Sequence, residues 1–221
     1  MGFWNGLWNG IKSIGSAISN VLKNSELINK LLPILSVVIP PPLDVIAVVA
    51  IMAISAAMDV EENPDELGWQ MNEADKKPED FDSFKEYKEY LDREYPFDRE
   101  KFDALSDEQK MACRYVGMAG TMQEVKEAKG FELTPESLGI LVKGAASLKW
   151  DEAQIGAFAK GLSVSLAGSG GASLGDVESL AKGTLNPDKF DSVSDAISAG
   201  AKEAGVPHDN ATIIASLQEN V

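Results

Sequence analysis

The amino-acid sequence predicts an all-α protein. Three observations support this fold class: residues 3–22 repeat apolar side chains with helical periodicity, N-capping residues recur through residues 105–221, and alternating strand patterns are scarce. In chain order we expect an N-terminal amphipathic helix and an apolar helical hairpin, then an acidic connector and a C-terminal multi-helix bundle. The corresponding domains are residues 1–58, 59–104 and 105–221.

Charge is divided unevenly along the chain. The 221 residues carry a net charge of −15, and since residues 1–58 contribute +1, residues 59–221 carry −16. Binding to nucleic-acid phosphates needs clustered lysine and arginine, so this balance argues against DNA or RNA as a partner. The single cysteine, Cys113, excludes an internal disulfide framework.

Residues 3–22 form the first predicted helix. Its large apolar side chains occupy an arc of about 140° on a helical wheel. The opposite face consists of asparagine, serine and lysine and contains no acidic residue. This pattern, with tryptophan at one end, is typical of helices that lie in a membrane interface. The candidate membrane-binding residues are Phe3, Trp4, Leu7, Trp8, Ile11, Ile14, Ile18, Val21 and Leu22.

A second interpretation of this helix is that its apolar stripe packs on protein, for example on a partner subunit. Gly6, Gly10 and Gly15 bear on the choice. Each weakens a helix in water by roughly 1 kcal/mol relative to alanine, so we expect the segment to need a surface on which to fold. Both a membrane and a protein provide such a surface, and we favour the membrane.

The segment from Gly6 to Ser16, GLWNGIKSIGS, resembles the amphipathic membrane-lytic helix of the adenovirus internal capsid protein VI family. The resemblance covers residues 3–20 and implies membrane perturbation. The chain beyond residue 24 is acidic and helical, whereas that family is basic and proline-rich. The resemblance therefore implies convergence on one physical solution and does not imply that virus family.

Residues 31–58 are almost free of charge. Three consecutive prolines at 40–42 interrupt this run, so two helical arms are predicted, at 26–39 and 43–58. At about 1.5 Å per residue the arms reach about 20 and 24 Å, less than the hydrocarbon thickness of about 30 Å. A hairpin that dips into one leaflet, or arms that span after oligomerisation or bilayer thinning, fits these lengths. The candidate hairpin-turn residues are Pro40, Pro41, Pro42 and Asp44.

Asp44 is the only charged residue in this run. An unpaired carboxylate in hydrocarbon is costly, so Asp44 is expected at an interface, in a water-lined path or at the start of the second arm. We favour the N-cap position, because Asp44 precedes an apolar periodic run after prolines. The opposing interpretation of the whole run is a hairpin buried at the centre of a soluble oligomer or virion assembly.

The acidic connector is predicted to contain short helices and turns. Residues 80–83 form a capping sequence for a helix near 82–94. Its charge run is interpreted as a solvated surface.

The C-terminal domain is predicted as a bundle of about six short helices. Residues 137–148 and 153–167 are apolar and rich in small side chains, and we expect them to pack as a core hairpin. The predicted helix starts are Ser106, Thr134, Asp151, Ser173, Asp191 or Ser192, and Asp209.

Catalytic chemistry has no positive signal in the sequence. The only histidine, His208, lies in a turn that more simply starts the last helix, and no His/Cys cluster suits zinc. We therefore predict that the protein is not an enzyme and has no catalytic residue, no metal site and no cofactor.

The predicted function is insertion into, or perturbation of, a membrane by a component of a virion or phage particle or of an injection apparatus. One alternative is a small secreted pore-forming toxin, and a second is a soluble structural subunit whose apolar N-terminus is an assembly interface. The expected partners are a lipid bilayer and further copies of the chain or a larger assembly, and an immunity or structural protein is a further candidate partner. The protein is expected to be secreted or particle-borne without a cleavable signal peptide, and membrane-associated after delivery.

Overall fold

The computed structural model describes residues 43–169 and 172–221. Within these two ranges the chain forms ten α-helices and two short 3₁₀ turns, and no strand. The prediction of an all-α protein is therefore confirmed. The helices are α1 (Leu43–Ala57), α2 (Pro64–Glu73), α3 (Phe84–Glu94), α4 (Arg99–Asp103), α5 (Asp107–Lys129), α6 (Pro135–Ser147), α7 (Glu152–Ser169), α8 (Leu174–Ala181), α9 (Phe190–Ala204) and α10 (Asn210–Glu219).

Local capping fixes most helix starts, as the sequence predicts. At α5 the Ser106 hydroxyl accepts a hydrogen bond from the Gln109 backbone N–H at 3.3 Å, and the Gln109 side chain accepts one from the Ser106 N–H at 2.9 Å. Such reciprocal pairs satisfy N–H groups that have no partner inside the helix. Other predicted caps that the structure confirms are Thr134, Asp151, Ser173 and Asp209. Within the predicted capping sequence 80–83, the residue that caps α3 is Ser83.

The predicted start of α9 at Asp191 or Ser192 is wrong. The helix begins at Phe190, directly after a 3₁₀ turn at Pro187–Lys189. Asn186 starts that turn, because its side chain accepts a hydrogen bond from the Asp188 N–H at 3.1 Å. The chain is therefore already helical when it reaches the predicted capping residues.

Two long helices organise the packing. Helix α5 contacts α1, α2 and α3, while α7 lies against both α1 and α9. Helix α6 packs mainly on α10, α1 and α8 and touches α7 only slightly. Residues 137–148 and 153–167 therefore both belong to the core, but they do not form the expected hairpin with each other.

Helix α1 is a core helix. Ala47, Ala50, Ile51 and Ile54 are completely buried. They belong to one hydrophobic cluster that contains side chains from α1, from the acidic connector and from all the helices between residues 107 and 219. In the described part of the chain, the three regions that composition distinguishes therefore share a core.

Candidate functional site

The structure describes only part of the predicted site. All nine candidate membrane-binding residues between Phe3 and Leu22 lie outside the described residues, and so do the three prolines at 40–42. Their roles stay predictions. Asp44 is described, and it leads to the contacts that hold α1 in the bundle.

Asp44 lies inside the first turn of α1, not at the predicted N-cap position. Its side chain is almost fully buried, and its Oδ2 accepts a hydrogen bond from Arg114 Nη1 of α5 at 3.2 Å. Arg114 Nε donates to Asp65 Oδ1 of α2 at 3.1 Å. One guanidinium thus joins three helices. Burial raises the pKa of Asp65, although the attraction of Arg114 opposes this.

The sequence does not predict this ion-pair network. Asp44 and Arg114 are 70 positions apart, and Asp65 belongs to the region interpreted as a solvated surface. The apolar run does contain one indication of a buried ion pair, because a lone carboxylate within it requires a partner or water. That requirement predicts the existence of a partner and not its identity.

A cleft of about 420 Å³ lies at the other end of α1. It is formed by the last turns of α1, the segment 61–63, α2 and α3. We name it the α1 cleft. Its apolar lining includes Met52, Ala56 and Leu67, and its carboxylates are Glu61, Glu62, Glu66 and Asp92.

Among the described residues that line the α1 cleft, Lys88 of α3 is the only basic one. Its Nζ lies 2.9 Å from Glu62 Oε1 and 3.1 Å from Asp92 Oδ2. Burial lowers the pKa of Lys88, but its hydrogen bonds and attraction to these two carboxylates raise it overall. Gln70 donates a further hydrogen bond to Asp92 Oδ1 at 3.2 Å. Carboxylates therefore outnumber basic side chains in the described lining of the cleft, and Lys88 is already paired with two of them.

Glu62 also contacts a second carboxyl group, that of Glu124, which does not line the cleft. Its side chain is hydrogen-bonded to that of Glu124 on α5. Burial raises the pKa of Glu62, and burial together with the charge of Glu62 raises the pKa of Glu124 to about 7. Glu124 Oε2 is buried without a hydrogen-bond partner. Two carboxyl groups in contact favour sharing one proton, so this pair binds or releases a proton near neutral pH.

The sequence does not predict this carboxyl pair. The two glutamates are 62 positions apart in a chain with 35 acidic residues, so no spacing distinguishes them. Only the packing of α5 against the segment before α2 brings them together.

The single cysteine and the single histidine of the sequence lie in separate structural environments. Cys113 is buried beside Trp69 and Phe102, and burial raises the pKa of its thiol to about 12. The His208 Nδ1 atom accepts a hydrogen bond from Trp150 Nε1 at 3.1 Å, in a different aromatic cluster. The structure does not bring this thiol and imidazole together.

Within residues 43–169 and 172–221, no group of three or more His, Cys, Asp or Glu side chains is placed to hold a metal ion. In the same part of the chain, no helix combines the length and apolar character needed to cross a membrane. Comparisons with protein-family models, curated proteins and solved structures found no match.

Proposed function

We propose that this protein inserts into or perturbs a membrane, as a component of a virion or phage particle or of an injection apparatus that delivers it. The observation that carries the proposal is the amphipathic pattern of residues 3–22, which places two tryptophans and seven further apolar side chains on one face and no acidic residue on the other. The proposed partner is a lipid bilayer, and the protein becomes membrane-associated after delivery. No catalytic role, cofactor or nucleic-acid partner is part of the proposal.

In this proposal the first helix binds the membrane and the helical bundle carries it. Residues 59–221 carry −16 and are repelled by anionic headgroups, so the weakly charged first helix is the element that docks. The described helices bury their own apolar side chains in a shared core, which supports a role as the carrier of this element.

Insertion of the predicted hairpin has a structural requirement. Its second arm contains α1, and α1 must leave the core before residues 43–58 enter lipid. Removing Ile51 and Ile54 from the core costs about 1.5–3 kcal/mol for each side chain unless lipid replaces the lost contacts. We therefore propose that the first helix docks before any insertion of the hairpin, and we extend this requirement to the toxin alternative.

The burial of α1 favours a second candidate function. A structural subunit that uses its apolar N-terminus as an assembly interface needs no helix to leave the core. In that case residues 3–22 pack on another protein in a homo-oligomer or larger assembly, and the protein leaves vesicles intact.

Dye release from vesicles separates the two candidates. We expect the full-length protein to release the dye, and the double substitution Trp4→Ala/Trp8→Ala to abolish release, because indole rings anchor the apolar face at the interface. The matched control is Asn5→Ala/Asn9→Ala, on the polar face of the same predicted helix, and it should retain release. Intact vesicles with all three proteins, together with a defined oligomer, would favour the assembly function instead.

A further inference from the structure

Residues 58–63 join α1 to α2, and we name them the α1–α2 linker. Met58 and Val60 of this linker are buried against Val125 of α5, in a small hydrophobic cluster that is separate from the main core. The Val60 N–H donates a hydrogen bond to the Ser55 carbonyl at 2.9 Å, where α1 ends. Because the linker has a cluster of its own, it can detach from α5 without disruption of the main core.

Two side-chain contacts also hold the α1–α2 linker on α5. One is the ion pair between Asp59 Oδ2 and Lys129 Nζ, which lie 3.2 Å apart. The Asp59 side chain is 89% exposed, so this pair contributes little to stability. The other is the hydrogen bond between the Glu62 and Glu124 carboxyl groups, of which the Glu62 side chain is only 7% exposed. Of the two contacts, the carboxyl pair is therefore the one that burial strengthens.

The carboxyl pair needs a proton. Two carboxyl groups form a hydrogen bond only while one of them is protonated, because an ionised carboxylate has no donor. Lys88 Nζ lies 2.9 Å from Glu62 Oε1 and favours the ionised form of Glu62. Glu124 Oε2 is buried without a hydrogen-bond partner, and a negative charge there is costly. The proton therefore belongs on Glu124.

The other charges that face the carboxyl pair come from α3 and from the α1 cleft. Asp92 of α3 lies 3.1 Å from Lys88 Nζ, and its charge repels both glutamates of the pair. Glu61 and Glu66 line the adjoining cleft. Without its proton, the pair brings two negative charges into contact, while Lys88 is already shared between Glu62 and Asp92.

We propose that the Glu62–Glu124 pair is a pH-sensitive contact that fixes the α1–α2 linker to α5 below neutral pH and releases it above neutral pH. When the pair loses its proton, repulsion replaces the hydrogen bond, and water solvates both carboxylates once the linker moves away.

The direction of this change follows from the pKa of Glu124. Burial and the charge of Glu62 raise this pKa from 4.5 to about 7, so the contact is present at low pH and is lost as the pH rises through 7. Ile51 and Ile54 keep α1 in the main core, so the release is confined to the linker and the end of α1. The inference concerns the protein in water and does not rest on the proposed membrane activity.

Amide hydrogen exchange of the full chain at different pH values tests this contact. The readout is the protection factor of the Val60 N–H, which corrects for the pH dependence of intrinsic exchange. We expect it to fall about tenfold or more between pH 5.5 and pH 8 in the wild type. An unchanged protection factor over this range would overturn the proposal.

The matched control is the Thr184 N–H at the end of α8, which donates to the Ser179 carbonyl at 2.8 Å. As at Val60, the acceptor lies five residues earlier, and the residue before the donor has a left-handed backbone, with φ of 54° at Asp59 and 68° at Gly183. Its protection factor should change little with pH. An equal fall at Val60 and Thr184 would show that pH acts on the whole bundle, and it would also overturn the proposal.

The substitution Glu124→Gln separates the proton from other effects of pH. A glutamine amide donates a hydrogen bond to Glu62 at every pH, so we expect the Val60 protection factor to stay high up to pH 8. The control Glu89→Gln, on the exposed side of α3, should keep the fall of the wild type. A fall in Glu124→Gln as large as that in the wild type would assign the pH dependence to another group and contradict the proposal.

Discussion

The single residue Arg114 stabilises the packing of the apolar helix α1 through its ion pairs. Its guanidinium bridges Asp44 of α1 and Asp65 of α2, while its own side chain is only 22% exposed. Neither carboxylate has much access to water. The charge of Arg114 therefore balances two groups that would otherwise be costly to bury.

We predict that Arg114→Ala lowers the free energy of unfolding by about 2 kcal/mol or more, because it leaves the buried Asp44 carboxylate unpaired. Urea denaturation measures this change. The control is Arg93→Ala, which removes an exposed ion pair with Glu94 and should change stability by less than about 0.5 kcal/mol. Equal effects of the two substitutions would contradict a structural role for the Arg114 bridge.

Glu124 contributes to the pH dependence of stability, as do Glu62 and Asp65, whose pKa values burial also raises. The folded-state pKa of Glu124, about 7, lies above the ordinary value of 4.5. Between these values the folded protein retains a proton that the unfolded chain releases, so the contribution of Glu124 to stability is greatest below pH 4.5 and is lost as the pH rises to 7.

We predict that Glu124→Gln, which keeps a neutral side chain at every pH, is more stable than the wild type at pH 7.5, and that this advantage shrinks as the pH falls to 4.5. Thermal unfolding across this range measures the difference. Glu89→Gln on the exposed side of α3 is the control and should not alter the pH profile. A constant difference between wild type and Glu124→Gln would contradict the assignment of this proton.

At the scale of helices, two glycines allow α2 and α5 to cross with their backbones in contact. A Cβ atom added to Gly68 would lie 1.9 Å from the Cys113 carbonyl oxygen, and one added to Gly117 would lie 1.8 Å from the Pro64 carbonyl oxygen. These distances are too short for any side chain. Gly161 of α7 and Gly200 of α9 make a second close crossing.

We predict that Gly117→Ala lowers the free energy of unfolding by about 2–3 kcal/mol, because α2 and α5 must separate to admit the methyl group. The matched control is Gly168→Ala in α7, where an added Cβ has no neighbour within 4 Å. That substitution should stabilise the protein by up to about 1 kcal/mol through helix propensity. Destabilisation by both substitutions to the same extent would contradict a specific crossing at Gly117.

Charge is distributed unevenly over the chain, and this affects its attraction to a charged surface. Residues 1–58 carry +1 and residues 59–221 carry −16. Repulsion between the bundle and anionic headgroups acts over about one Debye length, roughly 10 Å at 0.1 M salt. Any docking of the N-terminal residues on anionic lipid therefore works against the rest of the chain.

We predict that binding to anionic vesicles becomes stronger as salt rises from low to physiological concentration, because screening removes this repulsion. Vesicle flotation measures the bound fraction. Zwitterionic vesicles are the control and should show little dependence on salt. Binding that weakens with salt would show that Lys12 and Lys23 attract the lipid more strongly than the bundle repels it.

The all-α class and the starts of most helices after residue 105 were predictable from the sequence, whereas α2 and α4 were not predicted individually. N-caps such as Ser106 and Thr134 were predictable because a capping side chain bonds a backbone N–H only two or three residues away. The predicted start of α9 was wrong because a 3₁₀ turn at Pro187–Lys189 leads directly into the helix, before the predicted capping residues are reached.

Long-range packing set the environment of α1, the partner of its one charged residue, Asp44, and the contact between Glu62 and Glu124. An apolar run avoids water equally well in lipid or in a protein core, so composition does not separate the two, and α1 lies in the core because α5, α6 and α7 surround it. The pairs Asp44–Arg114 and Glu62–Glu124 join residues more than 60 positions apart. Such contacts form when helices pack together, so the spacing of residues along the sequence does not predict them.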